Sequence, residues 1–147
     1  MLAQLALAKP LGLDDRELLQ EAMALARQIF DKYHRVVAMC RVAEQFGPGD
    51  RERALEEVLT VAGEIRNENR RALAMENLAE RLFPCDRKLL QETMASARKI
   101  SDRYSRARVL SAVGQRLDPA NEELLQEVLA ELWQFQDRKA AVKELLS

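Results

Sequence analysis

Apolar residues recur along the chain at helical spacing. Leu19, Ala22, Met23, Ala26, Ile29 and Tyr33 fall on one face of a helix with 3.6 residues per turn. The stripe returns as Leu55, Val58, Leu59, Ala62 and Ile65, and again as Leu90, Thr93, Met94, Ala97, Ile100 and Tyr104. A second stripe follows each of these: Ala38, Met39, Val42, Ala43 and Phe46, then Ala74, Met75, Leu78, Ala79 and Leu82, then Val109, Leu110, Val113, Gly114 and Leu117. The spacing predicts units of two amphipathic helices, A and B, joined by a short turn. Pro10, Pro48, Pro84 and Pro119, with gaps of 38, 36 and 35, mark the unit ends and stop the preceding helices. Asp15, Asp50, Asp86 and Asn121 stand where a side chain capping the N-terminus of helix A is expected.

The periodicity is also literal. DRELLQEAMALARQI, residues 15–29, returns as DRKLLQETMASARKI, residues 86–100, at an offset of 71. RALEEVLTVAGEI, residues 53–65, lies between them, and a fourth copy begins with NEELLQEVLAEL at 121–132. A fixed period of this length predicts repeats whose core is built between neighbours. The expected fold is all-α, an α-α superhelix or solenoid of about nine helices in one domain over 1–147. It divides into a half repeat at 1–10, repeats at 14–49, 50–85 and 86–120, and a shortened C-terminal repeat at 121–147. In the half repeat, Leu2, Leu5 and Ala6 match Met39, Val42 and Ala43 of a helix B. The fourth copy carries Leu132 and Phe135 where the others have Ala and Ile, with the only tryptophan, Trp133, between them, and a short closing helix is expected over 137–146.

The turn and second helix, DKYHRVVAMCRVAEQF, NENRRALAMENLAERL and DRYSRARVLSAVGQRL, resemble a bacterial helical repeat of the sense D-x-Y-x-R-A-x-A-L-x-x-(I/L/V)-A-x-x-L. The likeness covers nearly the whole chain, and the repeat is similar to tetratricopeptide and HEAT repeats. It implies an interaction or sensor array within larger bacterial proteins, and nothing catalytic. The tetratricopeptide W-x-x-L-G-x-x-Y pattern is absent from helix A, so the peptide-carboxylate clamp of that family is not carried over. The proline often found in helix A of HEAT repeats is missing too.

Composition narrows the choice. Gly and Pro together contribute 9 of 147 residues and aromatics 5%, against a β sandwich or barrel. With 23 basic and 24 acidic side chains the net charge is -1, against a generic polyanion binder. No apolar run reaches the roughly 20 residues of a membrane span, and the start MLAQLALAKP lacks a basic n-region and an A-x-A site, so a soluble, cytoplasmic chain is expected. Cys40 and Cys85 lie far apart without C-x-x-C spacing. No P-loop, G-x-G-x-x-G, G-x-S-x-G or H-E-x-x-H occurs, and no enzyme activity, cofactor or metal is expected. His34 aligns with Arg70 and Ser105, which suggests a solvent-facing turn, and Cys40 aligns with Glu76 and Ser111, which suggests a place near the surface of helix B.

Charges fall on two edges. Around the A-to-B turns 14 basic side chains meet 5 acidic ones, and around the starts of helix A 13 acidic meet 5 basic. Asp31 with Arg35, Asn67 with Arg71 and Asp102 with Arg106 recur as pairs, suited to bonding the carbonyls that end helix A. Glu21, Glu57, Glu92 and Glu127 form an acidic file suited to a repeat-to-repeat or helix-dipole role. Three functions follow. The first is a non-enzymatic scaffold whose groove, at variable helix B positions Arg41, Glu44, Gln45, Asn77, Glu80, Arg81, Ala112, Gln115 and Arg116, binds a protein or peptide. The second is a spacer or self-associating segment, a homo-oligomer through the repeat ends. The third is an anion or nucleic-acid site along a basic edge of Arg35, Arg66, Arg70, Arg71, Arg103, Arg106 and Arg108, weakened by the lack of stacking aromatics beyond Tyr104.

Overall fold

The computed structural model describes residues 15–133, and these are helical, with no strand among them. Seven helices follow one another: α1 (Asp15–Arg27), α2 (Lys32–Ala43), α3 (Pro48–Gly63), α4 (Glu68–Ala79), α5 (Arg87–Arg98), α6 (Arg103–Arg116) and α7, described over 122–133. The expected half repeat with Leu2 and Leu5, the fourth-copy Phe135 and the closing helix over 137–146 lie outside the described residues. The chain divides into two compact units, Met1–Ile65 and Arg66–Ser147. The division falls between helix A and helix B of the second copy.

Each helix B starts at a side-chain cap. Asp31, Asn67 and Asp102 adopt extended backbone and accept a bond from the backbone N–H three residues on, at His34 (2.9 Å), Arg70 (3.0 Å) and Ser105 (2.8 Å). This satisfies one of the four orphan donors of a helix start. The caps of helix A differ from expectation. Pro48 opens α3 at the first helical position and Gly47 is its cap, so Asp50 lies inside the first turn, where its charge favours the helix dipole. Asp86 precedes α5 but gives its carboxylate to the Phe83 N–H (2.7 Å) instead of to its own helix.

In the first unit α2 packs on both α1 and α3. Its core takes Leu18, Ala22, Met23 and Ala26 from α1, Val36, Met39, Val42 and Ala43 from α2, and Leu55, Val58 and Ala62 from α3. Ala22, Met23 and Ala26 of the expected stripe are buried, but Leu18 joins them while Leu19 and Ile29 at its ends are only half-buried. Cys40 is wholly buried rather than near the surface. A thiol is apolar enough for a core slot that the aligned Glu76 and Ser111 occupy only at half burial.

In the second unit α6 packs on α4 and α5. Ala72, Met75, Leu78 and Leu82 meet Leu89, Leu90, Met94 and Ile100 and the α6 stripe Val109, Leu110 and Val113. Thr93 is fully buried, with its hydroxyl donating to the Leu89 carbonyl at 2.7 Å. Ser105, aligned with exposed His34 and Arg70, is buried, so that position is not uniformly solvent-facing. Its hydroxyl and its N–H both go to Asp102, and these two bonds, the hydroxyl's first, hold the Asp102 carboxyl below its ordinary 3.8. Tyr104 departs the other way: it extends the apolar stripe in sequence but is 61% exposed.

Two predictions follow from these contacts. Gly114 lies within α6, and a Cβ there would meet Val128 Cγ1 of α7 at 3.0 Å, whereas a Cβ on Gly63 would meet nothing within 4 Å. Gly63→Ala is expected to stabilise by up to ~1 kcal/mol through helix propensity. Gly114→Leu is expected to destabilise by ~1–3 kcal/mol through overpacking. Urea unfolding of the two variants measures both. Asp102 and Asn67 are the same cap with and without a titrating group. Asp102 favours the folded state above its unfolded value, and that contribution is lost as pH falls through its lower folded value. The deficit of Asp102→Ala should therefore shrink below pH 3.8. That of Asn67→Ala, about 1 kcal/mol, should carry no such term, as thermal melts between pH 2.5 and 7 would show.

Candidate functional site

The recurring arginines of the turns are anchored at once. Arg35 Nε donates to the Ile29 carbonyl at 2.8 Å and its Nη2 to that of Phe30 at 3.3 Å. Arg106 Nη1 donates to the Ile100 carbonyl at 3.0 Å, and its Nε lies 3.7 Å from Glu131 of α7. These carbonyls lie just past helix A, where the intrahelical bonds run out. Arg71 is two-thirds or more buried and pairs with Glu68 at 3.4 Å; Glu68 also accepts the Ser101 N–H. Arg108 reaches Glu76 of α4 at 2.8 Å. Four of the seven basic-edge candidates thus act within the fold. Arg66, Arg70 and Arg103 remain at the surface.

The acidic file is divided in the same manner. Arg27, at the end of α1, makes a two-pronged contact with Glu57 of α3, at 2.7 and 2.9 Å, and Arg98 at the end of α5 reaches Glu127 of α7 at 2.7 Å. Both clasps join one helix A to the next. The Glu57 hydrogen bond raises the Arg27 pKa further above its already high value. Arg16 with Asp50 at 3.1 Å adds a second link between α1 and α3.

The groove candidates part into two groups. Arg41, Glu44 and Gln45 are exposed on the first unit. On the second, α4 and α6 run side by side, and a groove of about 420 Å³ opens along them, with Glu80 and Gln115 on its walls. Asn77, Arg81 and Arg116 are half-buried and do not line it; Ala112 lines it but is buried, with only a narrow contact to the opening. Glu76, Tyr104 and Ser111 line it as well and were missed from the sequence as groove positions. Their signal was present: Cys40, Glu76 and Ser111 form a variable column one residue before the column of Arg41, Asn77 and Ala112. Leu132 supplies an apolar wall. It occupies the position of Ala26, Ala62 and Ala97, which are fully buried, and remains half-buried.

The described walls of the groove carry two carboxylates, a guanidinium and a phenol ring. Across it, Arg108 pairs with Glu76 and lies 6.0 Å from the centre of the Tyr104 ring. Among the described residues no three His, Cys, Asp or Glu side chains converge as a metal site, and no helix is long and apolar enough to cross a membrane. His34 is exposed, with Nδ1 2.6 Å from Asp31, its own helix cap. Comparison with family models, with curated proteins and with solved structures gives no match to this chain.

A pair of substitutions separates anchored from surface arginines. Arg106→Ala removes charged donors from a buried carbonyl and is expected to cost ~1.5–3 kcal/mol. Arg103→Ala, at an exposed position, should stay within about 0.5 kcal/mol of the parent. Chemical denaturation of both decides, and equal effects would contradict the anchoring.

Proposed function

We propose that the chain is a non-enzymatic, protein- or peptide-binding scaffold: a solenoid of helical repeats related to the tetratricopeptide-like and HEAT-like kind, serving as the sensor or interaction part of a larger bacterial protein. The observation that carries this reading is the division of labour among repeat positions. Constant positions are buried or anchored in turns, while variable ones, Glu80, Ser111 and Gln115 among them, wall the groove of the second unit. A groove of about 420 Å³ falls in the range of pockets that hold a few side chains. Free Cys40 and Cys85 accord with a reducing compartment, supporting a cytoplasmic setting.

Self-association or a spacer role is the second reading. It is favoured by the clasps Arg27–Glu57 and Arg98–Glu127, which commit charge to stacking one helix A on the next. Anion or nucleic-acid binding along the turns draws the least support, because Arg35, Arg71, Arg106 and Arg108 already hold partners within the fold.

Selection of displayed random peptides against the whole chain tests the scaffold reading. Enriched peptides should lose affinity about tenfold, some 1.4 kcal/mol, when Gln115→Trp fills the groove. They should be indifferent to Glu44→Trp, the equivalent position on the first unit. Both sites are exposed, so melting temperatures should stay close to the parent's. Absence of any enriched peptide, or equal loss from both variants, would sink the proposal.

A further inference from the structure

We infer that the groove between α4 and α6 receives a lysine or arginine side chain of a peptide partner, an inference that rests on the scaffold reading above. Glu76 and Glu80 lie four residues apart on α4 and so on one face of that helix, both lining the groove. Among its described lining residues the cation, Arg108, is already paired with Glu76 at 2.8 Å. Glu80 is exposed and makes no side-chain bond among the described residues, so one carboxylate in the groove is left to be matched. An incoming acidic side chain would meet that uncompensated charge, whereas an incoming cation would complement it.

The other walls suit a long cationic side chain rather than a compact ion. Ala107, Ala112 and Leu132 present apolar surface against which a three- or four-carbon stem can pack while its head stays polar. Tyr104 is 61% exposed, and Arg108 lies 6.0 Å from its ring centre, so the ring already has a guanidinium beside it. Ser111 and Gln115, on successive turns of α6, offer hydroxyl and amide groups to the backbone of an extended segment. The first unit does not repeat the arrangement: Cys40 replaces Glu76 and is buried, and the positions of Arg108 and Ser111 hold Val37 and Cys40.

Two capped pentapeptides serve as probes, acetyl-Ala-Leu-Arg-Leu-Ala-amide and its counterpart with glutamate at the centre. Each is titrated into the isotopically labelled full chain and followed by backbone amide shifts. The arginine peptide is expected to move the amides of Glu80, Ser111 and Gln115 and to weaken about tenfold with Glu80→Lys. The glutamate peptide should leave the groove unmoved in the parent and gain affinity in that variant. Glu80→Gln, which keeps shape and removes charge, should give an intermediate loss, and unchanged melting of both variants excludes misfolding. Equal binding of the two peptides would overturn the charge assignment and leave the scaffold reading standing. No shift with either peptide at millimolar concentration would overturn the inference, while peptides from the display selection that bind without any basic residue would do so independently and still support the scaffold.

Discussion

Arg35 and Arg106 each leave the first turn of their own helix to hold a carbonyl at the end of the helix before it. Four residues earlier, Asp31 and Asp102 cap the same helix start. One turn therefore satisfies orphan donors of helix B and orphan acceptors of helix A together, in a connection of only a few residues. A guanidinium suits the task because its planar fork can address adjacent carbonyls and stays charged whatever the burial. The angle at which helix B leaves helix A is constrained by these bonds, and the apolar stripes can meet only if that angle is right. Ala26, Ala97, Ala43 and Ala79, all fully buried, show how close the approach within each unit becomes.

The all-helical class and the order of the helices were legible because they are written locally. Helical period, turn position and repeat length each depend on residues within a few places of one another, and all point to the same answer. The capping aspartates and asparagine, and the arginine four places on, could be read as a turn device from spacing alone. What could not be read is which charges meet across 29 to 34 residues. Arg27 with Glu57, Arg98 with Glu127 and Arg16 with Asp50 depend on how one helix A lies against the next, which no local pattern specifies. A count of charges along an edge takes every arginine as available, yet packing has assigned several of them.

Residues with the same place in the repeat need not share an environment, and this limited the reading of the site. His34 and Arg70 are exposed where Ser105 is buried, since a serine is small enough to give both its donors to Asp102 and close over them. Cys40 enters the core where Glu76 must stay at a groove wall, because a carboxylate pays heavily for full burial and a thiol does not. The variable column was visible in the sequence, but its face was misjudged by one residue. On a helix one residue is a rotation of 100°, enough to exchange a groove wall for a half-buried flank.

The clasps and the groove are two uses of the same surplus charge, distinguished by what lies opposite. Half-exposed pairs such as Arg98 with Glu127 are worth at most about 1 kcal/mol each, so they contribute less to holding the helices together than to choosing their register. Arg27 and Arg98 recur at one repeat position, and the second copy has Gly63 there instead. Glu80 is the reverse case: a repeat position that is acidic in two copies and is met by no cation among the described residues. An uncompensated charge in a shaped groove costs the fold little while water solvates it, and it would discriminate by charge against anything that displaced that water. Charges matched within a unit can therefore be told apart, residue by residue, from the carboxylate that no described residue matches.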